Sequence, residues 1–208
     1  ALMALGMVLI YKASEVPNFV QGEMALLPVF IAYMLIYSYG RSVFIAFFGA
    51  LIFAMVLGCF LEFVVVRRAK NPNILGLIII TIGLEMILLG LVSWKFGADQ
   101  RIMPFPVSAY DSVIIGELYI STMDLLTLVT ALGIMSVLFL FFRFSKFGVA
   151  MKATQQNPTA ARLMGIRTNR VKMVTWGISA AVGTVAGLLI APVIMEPYMM
   201  WNPMLKGF

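Results

Sequence analysis

The sequence predicts an all-α integral membrane protein, a polytopic helical bundle with about six spans, and three observations lead to this fold class. Hydrophobic residues make up 62% of the 208 positions. Charged residues make up only 12%, against about 25% in soluble proteins. Mean hydropathy is +1.01, and apolar runs near the ~20 residues that cross a bilayer alternate with short polar connections.

The net charge of +6 does not indicate nucleic-acid binding. The positive residues are concentrated in two loops, which is where membrane proteins carry their orientation signals. We therefore exclude nucleic acid as a partner and expect the lipid bilayer in its place.

The N-terminal part of the chain predicts three helices. The run 1–11 is shorter than a full span, so we expect a helix that begins before this chain, and a chain truncated at both ends. The second run starts near Asn18, which has capping-box spacing to Gln21, and reaches about Tyr39. The third run, 42–66, follows after only two residues, so these two helices should be antiparallel neighbours.

Three further spans are predicted at 74–94, 125–142 and 171–191. The fourth carries Gly76, Gly83 and Gly90 at intervals of seven, and the sixth carries Gly183 and Gly187 four apart. Both patterns predict close helix packing.

The segment 95–124 is mixed in charge and contains two strand-like runs around Gly116, which predicts a small extracytoplasmic hairpin.

Two loops, 67–73 and 143–172, are predicted to be cytoplasmic because of their charge. The second contains seven Lys or Arg and no Asp or Glu. An excess of positive residues marks the cytoplasmic side of membrane proteins. The segment 95–124, the turn at 40–41 and the final stretch are then expected on the opposite side.

A short helix is predicted inside the basic loop 143–172. Asn157 is suited to cap it, Pro158 to its first position, and Gly165 to a left-handed residue at its end. Its apolar surface should be covered by the membrane surface or by a partner, and it comprises Ala160, Ala161, Leu163 and Met164. The alternative is a solvated basic loop that only fixes orientation.

Several polar residues fall inside apolar runs. Glu85 lies near the middle of the fourth span, where an ionised group is costly, so it lines a polar pathway or is a protonated carboxyl bonded to a neighbouring helix. Glu62 is five residues from Arg67, so we expect it to form an ion pair with Arg67 or to lie at the membrane interface. A helix that starts at membrane depth near Asn18 would offer free N–H groups to a solute carboxylate, whereas at the membrane surface the same residues would form only a cap. The predicted pathway residues are Asn18, Gln21, Gly22, Glu23 and Glu85.

The residue inventory argues against catalysis. The chain has no His, and its single Cys59 lies in an apolar run, so disulfide frameworks and the usual metal sites are excluded. No catalytic or metal-ligating residue is predicted, and no P-loop is present to bind ATP. Three classes of function remain: a passive translocation subunit driven by a separate ATPase, a channel, and a membrane-embedded enzyme.

The chain resembles the membrane subunits of branched-chain amino acid ABC transporters, of the LivH type. The matching motifs follow in order along the sequence: Asn18-Phe19-x-x-Gly22-Glu23, Leu61-Glu62, Thr81-Ile82-Gly83-Leu84, Phe96-Gly97-Ala98-Asp99, Gly148-x-Ala150-x-x-Ala153, Asn157-Pro158-x-Ala160-Ala161-x-Leu163-Met164-Gly165-Ile166, Ala186-Gly187-Leu188-Leu189 and Leu205-Lys206-Gly207-Phe208.

The resemblance implies a single permease domain over 1–208 in a multi-pass protein of the cytoplasmic (inner) membrane. It implies as partners a second permease subunit, two ATP-binding subunits and an extracytoplasmic substrate-binding protein, with no cofactor in this chain because ATP is bound by the partners. Urea and short-chain amide permeases share these motifs and remain the alternative.

The resemblance also implies that the loop 143–172 is the cytoplasmic ATPase-coupling loop. Its coupling residues would be Gly148, Ala153, Asn157, Pro158, Ala160, Ala161, Leu163, Gly165 and Ile166.

Overall fold

The computed structural model describes residues 1–14, 16–69, 73–101, 103, 112–115 and 118–207, with backbone alone at 112–115 and 118–120. The elements follow in the order α1 (Leu2–Ser14), α2 (Gln21–Tyr37), α3 (Val43–Leu61), α4 (Ile74–Phe96), β1 (Ser112–Ile115), β2 (Leu118–Ser121), α5 (Thr122–Phe144), α6 (Lys146–Gln156), α7 (Pro158–Leu163), α8 (Thr168–Ile190) and α9 (Trp201–Leu205). A π-helical turn at Glu62–Val66 extends α3.

Within the described residues, four helices are long and apolar enough to cross a membrane, namely α3 with its π-helical turn, α4, α5 and α8. The apolar helices α1 and α2 are shorter, at 13 and 17 residues. The six apolar segments predicted from the sequence are therefore all helical. The protein is a multi-pass helical membrane protein.

Helix α8 is the centre of the bundle. In its most apolar stretch 72% of the residues are buried, against 0% in α5. It packs against α1, α2 and α3. The closest approach is to α3, where a Cβ on Gly58 would lie 2.5 Å from the carbonyl oxygen of Trp176, next to Gly177. Small residues thus let the two backbones meet, as in other membrane helix pairs.

The two predicted glycine patterns have different outcomes. On α8, a Cβ on Gly183 would lie 3.2 Å from Ala25, and one on Gly187 would lie 2.8 Å from Val29, so this face packs closely against α2. On α4, a Cβ on Gly83 or Gly90 would meet no described atom within 4 Å. Gly83 and Gly90 therefore lie outside any close contact with the described part of the chain, whereas a Cβ on Gly76 would lie 3.0 Å from Oδ1 of the capping residue Asn73.

Long-range hydrogen bonds join the two predicted cytoplasmic loops at one end of the bundle, and join the segment 95–124 to the final stretch at the other end. The guanidinium of Arg67 donates to the carbonyl of Asn169 at 3.0 Å, which joins the two basic segments. At the other end, the N–H of Arg101 donates to the carbonyl of Met195 at 2.9 Å. Arg67 also forms the predicted ion pair with Glu62, at 2.8 Å.

The predicted hairpin is present as two antiparallel strands. Ser112 of β1 pairs with Ser121 of β2, and Ile115 pairs with Leu118. Gly116 lies outside the described residues. The hydroxyl of Ser121 accepts from the N–H of Met123 at 3.3 Å and caps α5.

The basic loop 143–172 is shorter than predicted, because helix occupies most of it. α5 continues to Phe144, α8 begins at Thr168, and α6 fills 146–156. The hydroxyl of Ser145 accepts from the N–H of Gly148 at 3.0 Å and caps α6. The α6 sequence consists largely of good helix formers such as Lys, Ala, Met and Gln. This helix propensity was overlooked because the positive charges of the segment were interpreted as those of a loop.

Candidate functional site

The connection between α1 and α2 is a break in the helical bundle. α1 ends at Ser14 and α2 begins at Gln21, with Val20 at the N-cap position and no side-chain cap. The amide of Asn18 donates to the sulfur of Met24 at 3.8 Å. The predicted capping box of Asn18 with Gln21 is therefore wrong, because the Asn18 side chain is buried and contacts Met24 in place of the first N–H groups of α2.

This break lies at the middle of the bundle. The side chain of Gln21 bonds to Ser179, which is eleven positions from either end of α8, or about 16 Å by helical rise. From there α2 runs alongside the second half of α8, because Ala25 meets Gly183 and Val29 meets Gly187. A helix start at membrane depth leaves N–H groups and a positive dipole end inside the protein.

Three helices meet at this level through a polar node formed by Gly6, Gln21 and Ser179. The Gln21 amide donates to the carbonyl of Ser179 at 3.1 Å. The Ser179 hydroxyl lies 2.7 Å from the carbonyl of Gly6 and 2.9 Å from Oε1 of Gln21, so its one hydrogen is shared between two acceptors. A Cβ on Gly6 would lie 2.7 Å from Nε2 of Gln21, so glycine makes room for the amide.

A second group of buried polar side chains lies beside the break, and we call it the inner polar cluster. It consists of Asn18, Glu23, Thr81, Glu85 and Trp176, all less than 9% exposed. Within the described part of the chain, three of its atoms have no hydrogen-bond partner: Oδ1 of Asn18, Oε2 of Glu23 and Nε1 of Trp176. A buried polar atom without a hydrogen-bond partner destabilises the fold unless a water molecule or a solute supplies the missing hydrogen bond.

The inner polar cluster brings together side chains from three helices, α2, α4 and α8, and from the connection between α1 and α2. Asn18, Thr81 and Trp176 line one cavity of about 10 Å³, close to the volume that one water needs. Glu85 lies one turn beyond Thr81 on α4, and the carboxyl groups of Glu23 and Glu85 are near enough to repel one another. The cavity is narrow and is not an open channel. Apolar side chains such as Ile10, Val16 and Leu77 form most of its lining, and the two carboxyl groups lie outside that lining.

No described Lys or Arg forms an ion pair with Glu23 or Glu85. Glu23 is in the first turn of α2, where its carboxyl meets its own backbone N–H. The helix N-terminus, expected from the sequence to be free for a solute carboxylate, is thus partly used by Glu23 itself. The unpaired acceptors at Asn18 and Glu23 suit a cationic N–H donor.

Gly22 faces away from this cluster. A Cβ at Gly22 would lie 3.2 Å from the sulfur of Met204 and 3.7 Å from Cβ of Met200. Of the predicted pathway residues, the structure thus groups Asn18, Glu23 and Glu85, places Gln21 in the adjoining polar node, and sets Gly22 against the segment that leads into α9.

The short helix α7 has the predicted ends. The side chain of Asn157 accepts from the N–H groups of Thr159 at 3.0 Å and Ala160 at 2.9 Å, and Pro158 is the first helical residue. Gly165 has φ +83°. The N–H of Gly165 donates to Arg162, and that of Ile166 to Ala161, which is the hydrogen-bond pattern of a Schellman motif.

The outward surface of α7 differs from the prediction at one residue. Leu163 is 84% exposed and Met164 is 83% exposed, as expected for an uncovered apolar surface. Ala161 is only 4% exposed, so it packs inward and does not contribute to that surface. The helix is also tied to α8, because the guanidinium of Arg162 donates to the hydroxyl of Thr168 at 2.9 Å.

The other residues predicted for this segment lie in and around α6. Gly148 is buried, and a Cβ there would lie 1.8 Å from the carbonyl oxygen of Phe142, so only glycine fits where α5 turns into α6. Ala153 is half-buried, Ala160 is exposed and Ile166 is half-buried. Leu163 and Met164 are therefore the main apolar side chains that α7 presents outward.

The sequence was compared with known protein families and proteins. Residues 1–201 match the profile of a family described as the permease component of branched-chain amino acid transport systems. The chain belongs to this permease family.

Individual relatives agree with the family assignment. The chain is 28% identical to the high-affinity branched-chain amino acid transport system permease protein LivH of Salmonella typhimurium, over all of this chain and 72% of that protein. It is 27% identical to the probable branched-chain amino acid transport permease protein LivH of Methanocaldococcus jannaschii, over 91% of this chain and 61% of that protein. The permease protein BraD of Pseudomonas aeruginosa is also 27% identical, with 66% of its length covered. No solved structure matches the chain.

Sequence reasoning about this permease missed Ser179, Thr81 and Trp176. Ser179 is a hydroxyl at the centre of an otherwise small and apolar stretch of α8, and a polar residue at such depth is itself a signal of an interhelical contact. Trp176 could not be recognised in this way, because a tryptophan in an apolar run is normally interpreted as a packing residue.

Proposed function

We propose that this chain is the membrane-spanning permease subunit of an ABC importer in the cytoplasmic membrane, which moves branched-chain amino acids across the bilayer. The observation that supports this role best is the inner polar cluster beside a helix that starts at mid-depth. Interrupted helices with buried polar groups are a recurring form of solute site in transporters. The energy would come from separate ATP-binding subunits.

The unpaired hydrogen-bonding groups of the inner polar cluster favour an amino acid over a neutral solute. An ammonium that leaves water without new partners costs several kcal/mol. Oδ1 of Asn18 and Oε2 of Glu23 are unpaired acceptors, and Glu85 adds a second carboxyl nearby. The N–H of Trp176 is an unpaired donor for the substrate carboxylate. Urea has no ammonium and would gain less from the two carboxyl groups.

A Glu23→Gln variant tests this role of the cluster. We expect leucine uptake by the assembled transporter in proteoliposomes to fall about tenfold or more, since a lost charge-assisted bond is worth about 1.5–3 kcal/mol. Asp124→Asn is the matched control, because Asp124 is also in the first turn of a helix but is exposed. Uptake of leucine at the wild-type rate in Glu23→Gln, or uptake of urea in preference to leucine, would contradict the proposal.

We further propose that the exposed surface of α7 docks on an ATP-binding subunit. Burial of a leucine side chain contributes about 1.5–3 kcal/mol, and Leu163 is almost fully exposed in this chain alone. The Schellman motif and the Arg162–Thr168 bond hold α7 firmly against α8, so a force on α7 would reach the central helix of the bundle.

Co-purification of the ATP-binding subunits tests this docking. A Leu163→Glu variant should insert normally but retain at least tenfold less ATP-binding subunit. Leu205→Glu changes another exposed leucine outside 143–172 and should retain the wild-type amount. Equal recovery in Leu163→Glu and wild type would refute the docking role, whereas Ala161→Glu would reduce folded protein because Ala161 is buried.

A further inference from the structure

A groove of about 520 Å³ opens on the side of the bundle between α1, α5 and α6. Its floor is apolar and includes Val8 of α1 with Leu138 and Phe139 of α5. Because α5 touches α1 at few points and most of its apolar side chains are exposed or half-exposed, the groove faces the surroundings of the bundle. In a multi-pass protein, such an outward-facing surface is open to lipid unless another protein covers it.

Three cationic side chains lie along this groove, namely Lys12, Arg143 and Lys152. The guanidinium of Arg143 stacks on the rings of Phe139 and Phe144, each at 5.7 Å, which holds it near the groove. No acidic residue is among the described residues that line the groove. The groove therefore has an unbalanced positive charge.

The cations lie at the end of the bundle that carries the basic loops. Lys12 is in the last turn of α1 and Arg143 in the last turn of α5. The lining extends along α5 from Arg143 back to Met135, about 12 Å by helical rise. That distance is most of one ~15 Å leaflet of the hydrocarbon core, so the groove matches a lipid whose headgroup lies at the cations.

We propose that this groove binds one anionic phospholipid of the cytoplasmic leaflet, with its phosphate at Lys12, Arg143 and Lys152 and an acyl chain along the apolar floor. Basic pockets between membrane helices on the cytoplasmic side are suited to anionic headgroups. A zwitterionic lipid would gain less, since its own ammonium opposes the three cations. The lipid would join α1 and α5, which otherwise have little contact.

Native mass spectrometry of the detergent-purified assembled transporter tests the proposal, with phosphatidylglycerol and phosphatidylcholine as probes. We expect wild type to retain one phosphatidylglycerol in strong preference to phosphatidylcholine. In the double variant Lys12→Gln/Lys152→Gln the affinity for phosphatidylglycerol should fall about 25-fold, since each cation near an anionic lipid contributes roughly fivefold. The matched control is Lys146→Gln/Arg170→Gln, which removes two exposed cations of the same region that do not line the groove.

An uncharged variant tests the apolar floor separately. Val8→Trp adds bulk at a half-exposed lining residue and should reduce phosphatidylglycerol retention while all three cations remain. Equal retention of the two lipids by wild type would overturn the proposal. So would equal losses in the control pair, which would indicate general attraction to the basic segment, or no retained lipid in the assembled transporter, which would indicate that protein fills the groove.

Discussion

Replacement of Gly58 by alanine should open the contact between α3 and α8. A Cβ at this position would lie 2.5 Å from the carbonyl oxygen of Trp176, whereas ordinary contact begins at 3.4 Å, so the helices must separate by about 0.9 Å. Overpacking of this kind costs about 1–3 kcal/mol. The clashing atom belongs to the backbone, so the cost lies in the upper half of this range, at about 2–3 kcal/mol. Alanine regains about 1 kcal/mol of helix propensity, which leaves a net loss of roughly 1–2 kcal/mol.

The single cysteine provides the assay. Cys59 is adjacent to Gly58, and its sulfur donates to the carbonyl of Met173 on α8 at 3.4 Å. Cys59 is half-buried, so its reaction with a maleimide in detergent should become faster as the α3–α8 contact opens. A loss of 1–2 kcal/mol should raise the labelling rate by up to about 5- to 30-fold.

The matched control is Gly83→Ala, because a Cβ there would meet no described atom within 4 Å. This variant should label Cys59 at the wild-type rate and should be slightly more stable. Wild-type labelling in Gly58→Ala would refute the steric argument. Equal acceleration in both variants would show that the labelling rate does not report the α3–α8 contact.

Three further predictions follow from other contacts. Ser179→Ala should lower the melting temperature, because it removes interhelical contacts worth about 0.6 kcal/mol each in membranes. Gly165→Ala should raise hydrogen exchange at the end of α7 about fivefold, since φ is +83° there and a side chain costs about 1 kcal/mol in that conformation. In a Cys59→Ala background, an impermeant thiol reagent should label Arg41→Cys only from outside the cell and Lys146→Cys only from the cytoplasm.

Each of these predictions has a result that would contradict it. An unchanged melting temperature in Ser179→Ala would mean that the polar node does not stabilise the bundle. Unchanged exchange in Gly165→Ala would show that α7 does not depend on its left-handed end. Labelling of both new cysteines from one side would overturn the arrangement of the loops.

Features of this permease that depend on neighbouring residues could be predicted from the sequence. Asn157 and Gly165 define both ends of α7 because capping and positive φ are decided within a few residues. The ion pair of Glu62 with Arg67 is likewise a local contact. Apolar length and charge asymmetry identified the helices and grouped the loops.

Features that depend on the third dimension could not be predicted in this way. Gln21 and Ser179 are 158 positions apart, and no local pattern indicates that they meet. The inward position of Ala161 depends on how α7 packs against α8. The capping box at Asn18 failed for a related reason, because burial and the contact with Met24 override a spacing that would be sufficient on an exposed helix.

The polar node also constrains the order in which the helices reach their final positions. At about 5–20 residues per second of synthesis, the 158 positions between Gln21 and Ser179 take roughly 8 to 30 s. During this interval the amide of Gln21 has been synthesised but its partner has not. An unpaired amide is costly in an apolar environment, so α1 and α2 cannot settle into their final positions early. Although α1 and α2 are synthesised well before α8, they reach their final positions only when α8 packs against them and α3.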